Sequence, residues 1–413
     1  MTQLFQVLEQ HPLVYIARDI ERALGVKQLP PGYHIITNAT RFAKTQAALY
    51  PNNIHLIDEA TILDTHELLQ HNNTAPYIAS HNIQQVLVFK QTAMIEAICQ
   101  RMGLRLLNPA ATLAKTVEEK ISQVTWLAEL ATWLPPHTID IAKNIAWNGE
   151  AFILQFNRAH TGSGTMLIRS AEELQKIQTI FPNRPVRVSA FINGYTITNN
   201  TIVTDTDIVI GNISQQITGL APFTNEAFVT IGNDFALPQT TLNYTQRSLY
   251  TELANLIGKK LQQQGWRGAF GIDAMIDNSS GQLYLLEINA RQPASVTFES
   301  WLQLSKRAKN SEALTTFEAH LCALLNIDIT GKTLVPLCDG AQIILRHQGQ
   351  TTSSIDRIEQ AINHEYTVIR YDNTEPNSDV LRIQSEKGFL ASPTTLTPQG
   401  NHLVETINTA LHS

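Results

Sequence analysis

Two neighbouring stretches hold the residues best suited to chemistry: Gly268-Ala-Phe-Gly-Ile-Asp-Ala-Met-Ile-Asp277 and Gly281-Gln-Leu-Tyr-Leu-Leu-Glu-Ile-Asn-Ala-Arg-Gln-Pro293. Both are apolar-rich, and Asn278-Ser279-Ser280 separates them, so they predict a hairpin over 270–276 and 283–288. Such a hairpin brings Asp273 and Glu287 side by side. Glu287, Asn289 and Arg291 alternate with period two and point to one face. Two carboxylates and an amide oxygen there form a hard-oxygen cluster suited to Mg²⁺, which completes its shell with phosphate oxygens. Arg291 adds a fixed positive fork for a phosphoryl group or an oxyanion. On residue types alone, an edge strand with a solvated polar face reads the same way.

The preceding chain must position that hairpin. Strands at 13–17, 33–37, 54–57 and 85–89 alternate with helices at 18–24, 38–50 and 92–102, which predicts an open parallel sheet. No GxGxxG follows the first strand, so a dinucleotide site is not supported. Residues 118–132 read as one amphipathic helix ended by Pro135-Pro136. Strands at 151–156, 166–168 and 186–192 follow, with a helix at 171–179 and a long helix at 242–265.

The ordered string G-x-F-G-I-D followed by Y-L-L-E-I-N-x-R resembles the metal-binding hairpin of the ATP-grasp superfamily. The resemblance implies an α/β chain: an N-terminal open parallel-sheet (pre-ATP-grasp) domain over 1–112, then a two-part α+β ATP-grasp fold over 113–325. Its lid would span about 145–192, and 326–413 would close the chain. By the family's pattern Asp273, Glu287 and Asn289 would hold Mg²⁺, and Arg291 would contact the transferred phosphoryl group or the acyl intermediate. Lys120, by itself a helix-surface lysine, falls where the superfamily places a lysine on nucleotide phosphates. His160-Thr-Gly162-Ser163-Gly164-Thr165 resembles the small-residue loop of the lid, whose glycines let backbone N–H groups approach phosphates. Ala190-Phe191-Ile192 resembles the hinge that meets adenine.

Two departures stand out. The family's usual lid-strand lysine aligns with Gln155, which can hydrogen-bond a phosphate or the adenine but brings no charge. Lys143 and Arg158 are the candidate replacements. The usual hinge glutamates are replaced by Ala190 and Thr196. Arg18 begins the helix after the first strand, where open sheets bind ligands. It reads equally as a carboxylate-binding residue and as a surface ion pair.

The resemblance implies ATP and Mg²⁺ as cofactors and an ATP-dependent ligase. It would join a small-molecule carboxylate to an amine through an acyl phosphate, in the manner of amino-acid and peptide ligases. The rivals are a carboxylase that activates bicarbonate and a nucleotide-binding protein without catalysis. Superfamily members are often homodimers.

Composition excludes other classes. The chain has 413 residues, 30 Lys+Arg against 36 Asp+Glu, and a net charge of −6. That sign disfavours a sequence-independent grip on nucleic acid or anionic lipid. Its hydrophobic fraction of 43% supports a sizeable core. Cys99, Cys322 and Cys338 form no CxxC pair, and His66, His71 and His81 fit no zinc spacing, so they read as loop histidines. No stretch approaches the ~18 apolar residues of a membrane span. Those features predict a cytoplasmic protein.

Overall fold

The computed structural model describes residues 2–157 and 164–412. Strands β1 (Leu13–Ala17), β2 (Tyr33–Asn38), β3 (Ile54–Ile57), β4 (Gln85–Val88) and β5 (Arg105–Leu106) form one five-stranded sheet in the order β3-β2-β1-β4-β5. All four pairings are parallel, as the alternation of strands and helices requires. Every residue of β1 is buried: Leu13 and Tyr15 pack on one side, Val14 and Ile16 on the other. A continuous apolar run is what a strand covered on both faces needs. The helix expected over 18–24 shrinks to a 3₁₀ turn, Ile20–Ala23. Thr40 caps the next helix, and the side-chain oxygen of Asn38 is already occupied, accepting the Leu63 N–H at 2.8 Å.

A four-stranded antiparallel sheet follows, built from β6 (His137–Ile141), β7 (Phe152–Phe156), β8 (Thr165–Ile168) and β9 (Pro185–Ala190) in the order β6-β9-β7-β8. Its two faces differ sharply. Phe152, Leu154, Phe156, Val186 and Ile168 form an apolar cluster with Leu174 of helix Ala171–Ile180. Register puts Ile139, Arg187, Gln155 and Thr165 together on the opposite face.

The third sheet has nine strands: β10 (Gly194–Val203), β11 (Ile208–Val209), β12 (Ser214–Thr218), β13 (Thr230–Asp234), β14 (Gly268–Asp277), β15 (Leu283–Asn289), β16 (Ala341–Arg346), β17 (Thr367–Arg370) and β18 (Asp379–Ser385). Its order is β15-β14-β10-β12-β13-β16-β18-β17, with β11 beside β10. Residues 341–385 therefore extend the same sheet that carries the hairpin. One buried carboxylate ties the two parts together. Asp234, at the end of β13, accepts the backbone N–H groups of Ala236, Leu237, Phe389 and Leu390. Those four bonds compensate a carboxylate that is otherwise out of water.

The single helix expected over 118–132 is three pieces: helix Ala111–Glu118, helix Ser122–Leu127 and a 3₁₀ segment Ala128–Trp133. Glu119 adopts an extended backbone conformation between the first two. Asn157 secures the break, its carbonyl oxygen accepting the Ile121 N–H at 2.9 Å while its amide donates to Glu119 at 2.8 Å. Trp126 is buried in the core, and Trp133 packs half-buried on the same cluster. Among the described residues, no helix is long and apolar enough to cross a membrane.

Candidate nucleotide and metal site

The hairpin forms as expected, with Asp273 directly opposite Glu287. A bulge makes this possible. Ala274 pairs with Leu285 while Asp273 pairs with Glu287, so Leu286 is an extra residue on β15. Leu283 and Leu285 pack in the core before the bulge, and Ile288 and Ala290 do so after it. The phase change releases Glu287 and Asn289 onto the opposite face.

There Asn289 donates its amide N–H to Asp273 Oδ2 at 3.2 Å, leaving its carbonyl oxygen for a ligand. Burial pushes the Asp273 carboxyl above its ordinary range, with the Glu287 charge adding to the effect. Burial also opposes charge on Glu287, but the Lys120 ammonium outweighs it, aided by Arg291 and Arg187, and holds that carboxyl low. Lys120 Nζ lies 2.5 Å from Glu287 Oε2. The break before helix Ser122–Leu127 lets Lys120 cross to the hairpin. Arg291 reaches Glu118, whose other oxygen takes Lys90 Nζ at 3.0 Å. Lys90 follows β4, so the parallel sheet contributes to this wall.

Among the described residues, no cluster of three His, Cys, Asp or Glu is arranged to hold a metal. Asp273, Glu287 and the Asn289 oxygen instead form a partial shell of hard oxygens. That donor set fits Mg²⁺ completed by phosphate oxygens and does not fit a closed structural site.

On the four-stranded antiparallel sheet, Gln155 is buried at 9% exposure. Its amide donates to Thr165 Oγ1 at 3.2 Å. Its oxygen accepts Arg187 Nε at 3.0 Å and Nη2 at 2.6 Å. Arg187, which sequence reasoning missed, is 4% exposed. Ile139 and Phe191 are 41% and 40% exposed beside this face and the hinge. The Ala190 N–H is already bonded to the Pro136 carbonyl at 2.9 Å, and Ile192 is half-buried. Gly164 accepts the Phe156 N–H at 3.0 Å. His160, Gly162 and Ser163 lie outside the described residues, as does Arg158. Lys143 is exposed on the 3₁₀ turn after β6. Arg18 is held by Asp64 at 2.8 Å and Asn373 at 3.0 Å, the ion-pair arrangement of its two readings.

Residues 117–295 match the family model of the ATP-grasp domain. No curated protein sequence gives a significant match. Solved structures match end to end. N5-carboxyaminoimidazole synthetase from Staphylococcus aureus, complexed with ADP, is 12% identical, with a TM-score of 0.66 over 97% of this chain and 98% of that one. Carboxyaminoimidazole ribonucleotide synthase from Aspergillus clavatus, complexed with ATP, is 13% identical, with a TM-score of 0.65 over 97% and 98%. The biotin carboxylase domain of Hydrogenobacter thermophilus 2-oxoglutarate carboxylase, with MgADP and bicarbonate, is 12% identical, with a TM-score of 0.60 over 91% and 86%. These likenesses establish a shared fold. The family match covers residues 117–295, the stretch that holds the hairpin and the four-stranded antiparallel sheet.

Proposed function

We propose that the protein is an ATP-dependent ligase joining a carboxylate to an amine, with an amino acid or peptide as the acid. One observation carries this reading: Asp273, Glu287 and Asn289 share one face, and Lys120 meets them from a separate element. Phosphoryl transfer asks a protein chiefly for positioning and charge neutralisation. Asp273, Glu287 and Asn289 would hold Mg²⁺, which neutralises phosphate charge when bound. Lys120 and Arg291 lie beside them as donors to phosphoryl oxygens. The substrate carboxylate attacks the γ-phosphorus and ADP leaves. The amine then displaces phosphate from the acyl phosphate. The lid would exclude water from that anhydride.

The end-to-end fold likeness to carboxyaminoimidazole synthetases and a biotin carboxylase domain supports a second reading, with bicarbonate as the acid. One experiment separates the two. ADP release is measured with pooled amino acids, small acids and amines, with and without bicarbonate, and products are identified by mass spectrometry. Amino-acid-dependent release with an amide product supports the first reading. Strict bicarbonate dependence supports the second. ADP binding with no stimulated release under any condition overturns both.

A further inference from the structure

Arg187 presents an unusual electrostatic situation. Its guanidinium is almost wholly buried, yet no carboxylate among the described residues lies within ion-pair distance. The partners it has are neutral amide oxygens: Gln155, which takes two of its N–H groups, and Gln123, at 3.4 Å from Nη1. A guanidinium has five N–H donors, so two remain unspent. Burial pulls the pKa of Arg187 down to about 10, with the Glu287 charge opposing that fall. A buried cation without an anion is costly, and proteins rarely keep one unless something else supplies the charge.

Its location says what that would be. Register sets Arg187 directly opposite Gln155 on β7 and Ile139 on β6, on the face away from the lid's apolar core. Its Nη1 lies 3.4 Å from the side-chain oxygen of Gln123, three residues after the lysine that sits on Glu287, and its charge helps to hold the Glu287 carboxyl low. Gln155 occupies the position where the superfamily's pattern has a lysine.

We propose that Arg187 binds the nucleotide's phosphate oxygens, so that the positive charge of the lid has moved from β7 to the adjoining strand and Gln155 orients its carrier. The inference rests on reading the cleft as a nucleotide site. Gln155 fixes the fork through Nε and Nη2 and is itself fixed by Thr165. The unspent N–H groups on Nη1 and Nη2 are then aimed without further ordering.

The test is calorimetric titration of the full chain with Mg²⁺ plus ADP or adenosine. Gln155→Glu places a carboxylate of the same shape against the fork. It neutralises Arg187 in place and gives the buried cation a partner, so the fold should be at least as heat-stable. ADP should bind about 10- to 100-fold more weakly, the range for losing a charge-assisted contact, with adenosine within about threefold. Arg187→Gln should show the same split. The double variant Q155K/R187Q, which returns the charge to β7, should recover ADP affinity. Native ADP affinity in Gln155→Glu overturns the proposal, as does an equal loss of ADP and adenosine in Arg187→Gln. Failure of the native chain to bind ADP at all overturns the nucleotide reading beneath it.

Discussion

Along the hairpin wall Lys120, Glu287, Arg291, Lys90 and Glu118 pair with one another, and Asp273 rests on a neutral amide. Lys120 sits on Glu287, Arg291 and Lys90 share Glu118, and Asn289 donates to Asp273. On the four-stranded antiparallel sheet Arg187 bonds, among the described residues, to neutral amides alone. The difference teaches how such a site divides its work. Paired groups must exchange partners when a ligand arrives, because a cation entering at Glu287 competes with Lys120. An unpaired cation needs no exchange and gains an anion it lacks. On the proposed reading the hairpin wall reorganises when a ligand arrives, and Arg187 is set in advance.

The largest expected effect comes from removing a charge on the reorganising wall. Glu287→Gln should cut substrate-stimulated ADP release by about 100-fold or more, given what a metal contributes to charge stabilisation. ADP affinity measured without Mg²⁺ should change little. Full activity in this variant would remove the metal assignment. Next is Lys120→Met, expected to lower ADP release by about 10- to 100-fold. It should also move the pH profile. Lys120 is the chief group holding the Glu287 carboxyl low, so its loss raises that pKa. The carboxylate is then protonated at higher pH, and activity should fall earlier as pH drops. An unmoved acid limb would show that Lys120 does not govern Glu287.

The smallest effect lies off both walls, in the parallel sheet. His34 is buried against Tyr77 and His81, and its pKa is lowered to about 4 by burial, with His81 adding to it. Above pH ~6.5 both folded and unfolded forms are neutral there and stability is complete. Between about 6.5 and 4 only the unfolded chain takes the proton, so roughly 2–4 kcal/mol should be lost. Denaturant midpoints across that range would show it, and His34→Gln should flatten the slope without altering ADP release at pH 8.

The hairpin was legible because its chemistry is local. Asp273, Glu287 and Asn289 lie on two adjoining strands, and period two sets their faces. The bulge at Leu286, by contrast, shows only in the register of the two strands. Lys120 was legible by order and illegible by position. The apolar spacing of 118–132 reads as unbroken helix, and the break depends on Asn157, far along the chain. Arg187 gave no signal. A lone arginine between Val186 and Val188 shows its face only once β9 lies beside β7. His81 read as a solvated loop residue, yet tertiary packing sets its ring against those of Tyr77 and His34. The sequence likewise hid that residues 341–385 extend the hairpin's own sheet, since strand order is not written in strand composition.

Leu286 makes the polar face of β15 a matter of counting. Leu283, Leu285, Glu287 and Asn289 are all odd-numbered, and in a regular strand they would crowd onto one side. Removing Leu286 would move Glu287 and Asn289 to even positions, so a regular strand without the bulge would still keep both leucines in the core with Trp266 and Ile288 and the two polar residues on the opposite face. Replacing Leu286 with another half-exposed residue would leave the parity intact. Losing this one residue is therefore easier on the hairpin than losing any of its paired neighbours, each of which would flip the residues beyond it to the other face.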